Sequence, residues 1–192
     1  MTALLEKRDL ILENERRFAD ILSREVLASP KMNLWMILIP FILVYHIVQH
    51  RRVADGRKAF ALNYLRSRER ALEEALRYVD KGASPVIEET AEAGDLPVSA
   101  RTPFREFMLL LIDHYVDLLR SGGRDMESLI RSAYKSRMNY LLFLDRLNRS
   151  EKALNEALRP YIAEPGGVDE VLNTMETVSE RLRREYAAAV FG

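Results

Sequence analysis

The sequence predicts an all-α protein: a helical bundle with one apolar, proline-kinked, membrane-type helix. Three observations predict it. Apolar residues recur at helical spacing through most of the chain. No stretch shows convincing strand alternation, and no repeat of solenoid period is present. One segment, Leu34 to Val48, is almost purely apolar and has Pro40 near its middle.

Composition narrows the function classes. The chain has 192 residues, room for one domain or one domain with an appended element. Basic and acidic residues number 29 each, which argues against a general nucleic-acid binder. Cysteine is absent, so disulfides, thiolate metal sites and cysteine nucleophiles are excluded. A cleavable signal peptide is not expected, because the apolar run follows some thirty residues of mixed charge.

Residues 1–31 read as an N-terminal amphipathic helix, periodic over 3–28. Leu4, Ile11 and Phe18 recur every seven residues, as do Leu5, Leu12, Ala19 and Val26. Six basic and six acidic residues up to Lys31 suit packing on a protein helix better than lying on a membrane surface. Ser29-Pro30 breaks the pattern. Residues 32–50 form the apolar membrane-associated helix. Residues 51–82 form a charged amphipathic helix whose stripe is Ala61, Leu65, Leu72, Leu76 and Val79, with Lys81-Gly82 as its stop. Arg66, Arg68, Arg70 and Arg77 interleave with Glu69, Glu73 and Glu74, the pattern of an exposed helix laced with intrahelical pairs.

Residues 83–100 read as an acidic linker carrying Glu88, Glu89, Glu92 and Asp95. The C-terminal helical bundle then covers 101–192. Thr102-Pro103 marks its first helix, with Phe104, Met108, Leu111, Tyr115 and Leu118 on one face and Gly122-Gly123 at its end. A long pattern follows over 125–159, with a kink expected at 148–150, closed by Pro160. The last helix spans about 169–190 and presents Val171, Met175, Val178, Leu182, Tyr186 and Ala189 to the core.

The apolar run carries the functional expectation. Its membrane-embedded residues are Leu34, Trp35, Ile37, Leu38, Ile39, Pro40, Phe41, Ile42, Leu43, Val44, Tyr45, Ile47 and Val48. Fifteen residues make about 22 Å of helix, short for a hydrocarbon core of roughly 30 Å but usable. Insertion is worth about −3 to −6 kcal/mol from its ten Leu, Ile, Val and Phe residues, offset in part by Pro40. Arg51, Arg52, Arg57 and Lys58 follow the run and are the candidate lipid-headgroup contacts. The positive-inside rule then places the C-terminal part in the cytoplasm.

Three arrangements compete. The leading one is a single span, which puts residues 1–31 on the far side. The second is a re-entrant wedge of two halves, Met32–Ile39 and Phe41–Val48, each about 12 Å long. A lone proline kinks a helix without reversing it, which weighs against the wedge. The third is a helix buried in a soluble bundle or in the core of a homo-oligomer.

Chemical signatures are sparse. His46 and His50 share a helix face and are weak metal candidates, since a catalytic site wants three ligands and a closed one four. The remaining histidine, His114, lies between Asp113 and Asp117 on what reads as a solvated acidic face. No phosphate loop, dinucleotide fingerprint or nucleophile elbow is present. The expected function is therefore that of a membrane-associated, non-enzymatic helical protein without metal or cofactor. It would be an adaptor, scaffold or accessory subunit on the cytoplasmic face. Its expected partners are membrane lipid and a protein or a second copy, with no nucleic acid. The alternatives are a soluble helical homo-oligomer with 34–48 at the inter-subunit core, and a histidine-dependent metal enzyme.

Overall fold

The computed structural model describes residues 2–27, 56–87, 96–161 and 168–192. All regular structure among them is helical. The helices are α1 (Thr2–Leu27), α2 (Gly56–Lys81), α3 (Val98–Arg120), α4 (Met126–Tyr134), α5 (Arg137–Leu158) and α6 (Val168–Phe191). A 3₁₀ turn, Arg159–Tyr161, follows α5.

The long helices form one bundle around α3. Residues 111, 112, 114, 115, 116, 118 and 119 of α3 are all buried, so most of its circumference faces other helices. Ile11, Ala19, Leu22 and Val26 of α1 pack into the same core. So do Leu65, Leu72 and Ala75 of α2, Tyr140, Phe143, Leu144, Leu147 and Leu154 of α5, and Met175, Ala187 and Val190 of α6. Residues 2–27 thus belong to the same body as the C-terminal helices.

Cross-helix contacts fix the directions. Arg68 meets Glu15 at 3.0 Å and the rings of Phe18 and Tyr64 stack at 5.8 Å, so numbers rise along α1 as they fall along α2. These two helices are antiparallel, and Leu27 and Gly56 lie at the same end of the bundle. Arg68 faces Phe107 and Arg120 faces Tyr78, so α2 and α3 run the same way and Lys81 and Val98 lie at opposite ends. The chain leaving α2 turns back along it. The Val86 N–H donates to Glu74 Oε2 at 3.1 Å, and Ile87 and Leu96 are buried.

Local chemistry explains the ends. Gly82 closes α2 with φ +67° while its N–H donates to the Tyr78 carbonyl at 2.9 Å. Gly82→Ala is expected to lower stability by about 1 kcal/mol in urea unfolding, the cost of a Cβ in left-handed backbone. The last carbonyls of α3 are capped from a distance: Lys7 Nζ donates to the Leu119 carbonyl at 3.0 Å and the Ser121 carbonyl at 2.6 Å. Gly123 passes so close to α4 that a Cβ there would stand 2.9 Å from Leu129 N. Asp125 and Ser128 form a reciprocal capping box at the start of α4.

Several sequence expectations are corrected. The helix expected from Thr102-Pro103 begins at Val98, and Pro103 lies inside it. The long 125–159 pattern breaks at Lys135, φ 63°, with Ser136 capping a new helix, and α5 continues through 148–150. Leu5 is 40% exposed, outside the α1 stripe. In α6 the buried face carries Ser179, Arg183, Ala187 and Val190, and Ala189 is exposed. Of the expected stripe, Met175 is buried, and Val178, Leu182 and Tyr186 are partly buried against the same core.

The proline-kinked apolar helix expected over 32–50 lies outside the described residues. Among the described residues, no helix is long and apolar enough to cross a membrane.

Candidate functional site

The most distinctive polar arrangement is a chain of buried charges through the centre of the bundle. It begins on α2. Arg68 follows Leu65 by three positions and precedes Leu72 by four, so helical geometry places it on the apolar face. Its side chain is 3% exposed. Burial is tolerated because every edge of the guanidinium is occupied. Nε contacts Glu15 Oε2 of α1 at 3.0 Å, and Nη2 donates to Glu151 Oε1 of α5 at 2.6 Å. Nη1 donates to the Tyr64 carbonyl at 3.3 Å, and the cation lies 3.5 Å from the centre of the Tyr64 ring.

Glu151 repeats the pattern on α5, between Leu147 and Leu154 of the buried face. Arg183 of α6 grips it with both nitrogens, Nη1 to Oε2 at 2.6 Å and Nη2 to Oε1 at 2.8 Å. Arg183 also donates to Asn148 Oδ1 and lies over the Phe18 ring. At the other end of the chain the Tyr115 hydroxyl donates to Glu15 Oε1 at 2.8 Å. Five helices are thereby tied through two cations and two anions.

The charges sit in mutually stabilised states. Burial alone would raise the Glu151 carboxyl, but the guanidiniums of Arg183 and Arg68 outweigh it and hold it below the ordinary value. Burial opposes the charge on Arg68 and Arg183, and their neighbours, Tyr64 and Glu151 among them, raise both above the usual arginine range. Burial raises the Tyr115 hydroxyl, with Glu15 adding to it. The cluster is formally neutral. The space beside it, bordered by Tyr64, Arg68, His114, Tyr140 and Arg183, has a volume of about 50 Å³. That is room for a water or two, well below the several hundred Å³ of a typical small-molecule site.

His114 adjoins this cluster from α3, and its predicted solvated face is corrected. Asp113 and Asp117 are exposed, whereas His114 is buried. Its ring stacks on Phe143 at 4.2 Å, and Nδ1 lies 2.6 Å from the Tyr134 hydroxyl. Burial pushes the imidazole down to about 3, with the Arg68 charge adding to the effect. It is therefore neutral at physiological pH, walled by aromatic rings. Asp117 is raised by burial and by Asp113 beside it.

Chemically, these groups are built to hold. The two arginines have no accessible deprotonated form, Glu151 is committed to both of them, and one His114 nitrogen is engaged. Among the described residues, no group of three or more His, Asp or Glu is arranged to hold a metal ion.

The residues singled out by sequence fare differently. The membrane-embedded set Leu34–Val48, the weak metal candidates His46 and His50, and Arg51 and Arg52 lie outside the described residues. Arg57 and Lys58 fall in the first turn of α2, where side chains are not described. Arg68, Glu151 and Arg183 were not picked out by the sequence motifs. The available signal was a charged residue inside an apolar stripe, present at Arg68 and Glu151 but not at Arg183, whose face carries Ser179 and Ala187. No family model, no curated protein and no solved structure matches the chain.

Proposed function

We propose that the protein is a non-enzymatic adaptor or scaffold held at the cytoplasmic face of a membrane by its apolar segment, as a re-entrant wedge. The carrying observation is the antiparallel pairing of α1 with α2. These helices flank the run, and Leu27 and Gly56 end at the same end of one bundle. A single pass through 34–48 would put α1 across the membrane from the helices it packs against, so the pairing favours entry and exit on one side. Leu34–Val48 supplies the apolar surface, and Arg51, Arg52, Arg57 and Lys58 supply charge for anionic headgroups. The clamp of Arg68, Glu151 and Arg183 favours a holding role over a chemical one, since each group is consumed by its neighbours.

The chain has no native cysteine, so topology can be read directly. Single cysteines at Glu6 and Glu156, both exposed, are to be probed with a membrane-impermeant thiol reagent in intact and in opened cells. The expected result is the same protection pattern at both positions, with carbonate-resistant membrane retention that Ile42→Arg weakens. Opposite labelling would establish a span and overturn the wedge. Protein wholly in the soluble fraction as a defined oligomer would replace anchoring by the reading in which 34–48 joins subunits.

A further inference from the structure

We infer that the groove between α5 and α6 near the start of α5 is a docking site for an acidic amphipathic helix of another protein. This goes beyond membrane anchoring and stands or falls separately from it. The chemistry begins with Met138 and Leu142, one turn apart on α5 and 66% and 56% exposed. Leucine and methionine at such exposure cost little singly. Here they flank a depression of about 420 Å³ floored by Leu141 and Leu144, so the apolar surface is concave and continuous.

Its rim is cationic. Arg137 stands beside Met138 with no ion pair among the described residues, and Arg184 lines the facing wall from α6. Arg184 bonds Glu180 at 2.6 Å as an exposed pair, which an incoming carboxylate can replace at small cost. Among the described residues, the one acidic residue lining the groove is Asp145, which is already bonded to Arg149 at 2.5 Å. The site therefore offers apolar anchoring between cations, the complement of a helix with apolar residues at i, i+3 and i+4 flanked by Asp or Glu.

Position favours a protein over a lipid surface. The start of α5 lies at the end of the bundle opposite Leu27 and Gly56, where the apolar segment leaves and returns. Tyr140 meets Phe191 there, at the far end of α6. A concave groove between two helices also receives a ridge of side chains better than a flat bilayer does.

The test is selection from a phage-displayed library of helical peptides on the immobilised full-length chain in detergent, wild type against Met138→Glu/Leu142→Glu. The wild type is expected to enrich peptides with helically spaced apolar residues and flanking acids. A synthetic peptide of the enriched sequence should bind at least about tenfold more weakly to the double variant and to Arg137→Glu. Changing its acids to lysine should abolish binding. Both variants alter exposed positions, and far-ultraviolet circular dichroism checks that they fold. If the double variant loses helicity, Arg137→Glu alone carries the comparison. Three outcomes overturn the inference: no enrichment beyond that seen with the variant, an enriched sequence without acidic residues, or self-association of the chain that Leu142→Glu abolishes. The last would assign the groove to a second copy.

Discussion

Replacing Glu151 with glutamine is expected to destabilise the protein by about 3–5 kcal/mol, measured as the loss of unfolding free energy in urea. The size follows from what is left behind. Glu151 neutralises Arg183 through two hydrogen bonds and Arg68 through a third. Without its charge, Arg183 retains the neutral Asn148 side chain and Arg68 retains Glu15. Two guanidiniums then share one carboxylate in a core where desolvation is costly. Replacing Glu15, Arg68, Glu151 and Arg183 together by Gln, Met, Leu and Met removes all four charges of the cluster and is expected to recover most of the loss. A glutamine variant as stable as the wild type would show that water reaches the cluster and screens it. The sign with pH is fixed by the lowered Glu151 carboxyl: its contribution is present above about pH 4.5 and is lost as pH falls through its lower folded value.

His114 is expected to set the other large effect, at higher pH than the carboxylates. In the folded protein its imidazole stays neutral down to about 3, whereas in the unfolded chain it takes a proton below about 6.5. Only the unfolded state binds that proton within this window, so stability falls as pH drops through it, by about 1.4 kcal/mol per unit. Between pH 6.5 and 5, above the carboxylate range, the wild type should lose about 2 kcal/mol more than His114→Gln. Glutamine does not titrate and can still meet the Tyr134 hydroxyl. Urea midpoints at several pH values give the comparison. Parallel decline of the two proteins would place the titration elsewhere.

Both effects arise at residues whose importance the sequence conceals in different ways. His114 reads as solvated because Asp113 and Asp117 flank it at positions that are indeed exposed. It is buried because α3 is the central helix, with α5 covering the side that its own pattern left open to solvent. Nothing within 98–120 says how many neighbours the helix will have. Arg68 reads as one of several alternating surface charges, yet it sits between Leu65 and Leu72. The stripe was visible, but its partners are distant in sequence, Glu15 on α1 and Glu151 on α5, and no local spacing links them. Where the signal is local, reading and structure agree. Gly82 ends α2, and Phe104, Met108, Leu111, Tyr115 and Leu118 are all buried.

Hydrophobic period and terminator residues act within a turn or two, so the local sequence was enough to set the all-helical class and the approximate extent of four of the long helices. It also determined that 34–48 is an apolar stretch followed by a basic cluster. The tertiary structure was needed to show that α1 and α2 lie antiparallel in one body, so that the ends flanking the apolar segment come together. It alone decided which charges are buried as partners. Helix direction and charge pairing depend on contacts between residues up to a hundred or more positions apart, set by which arrangement buries the most apolar surface while leaving no charge buried without a partner.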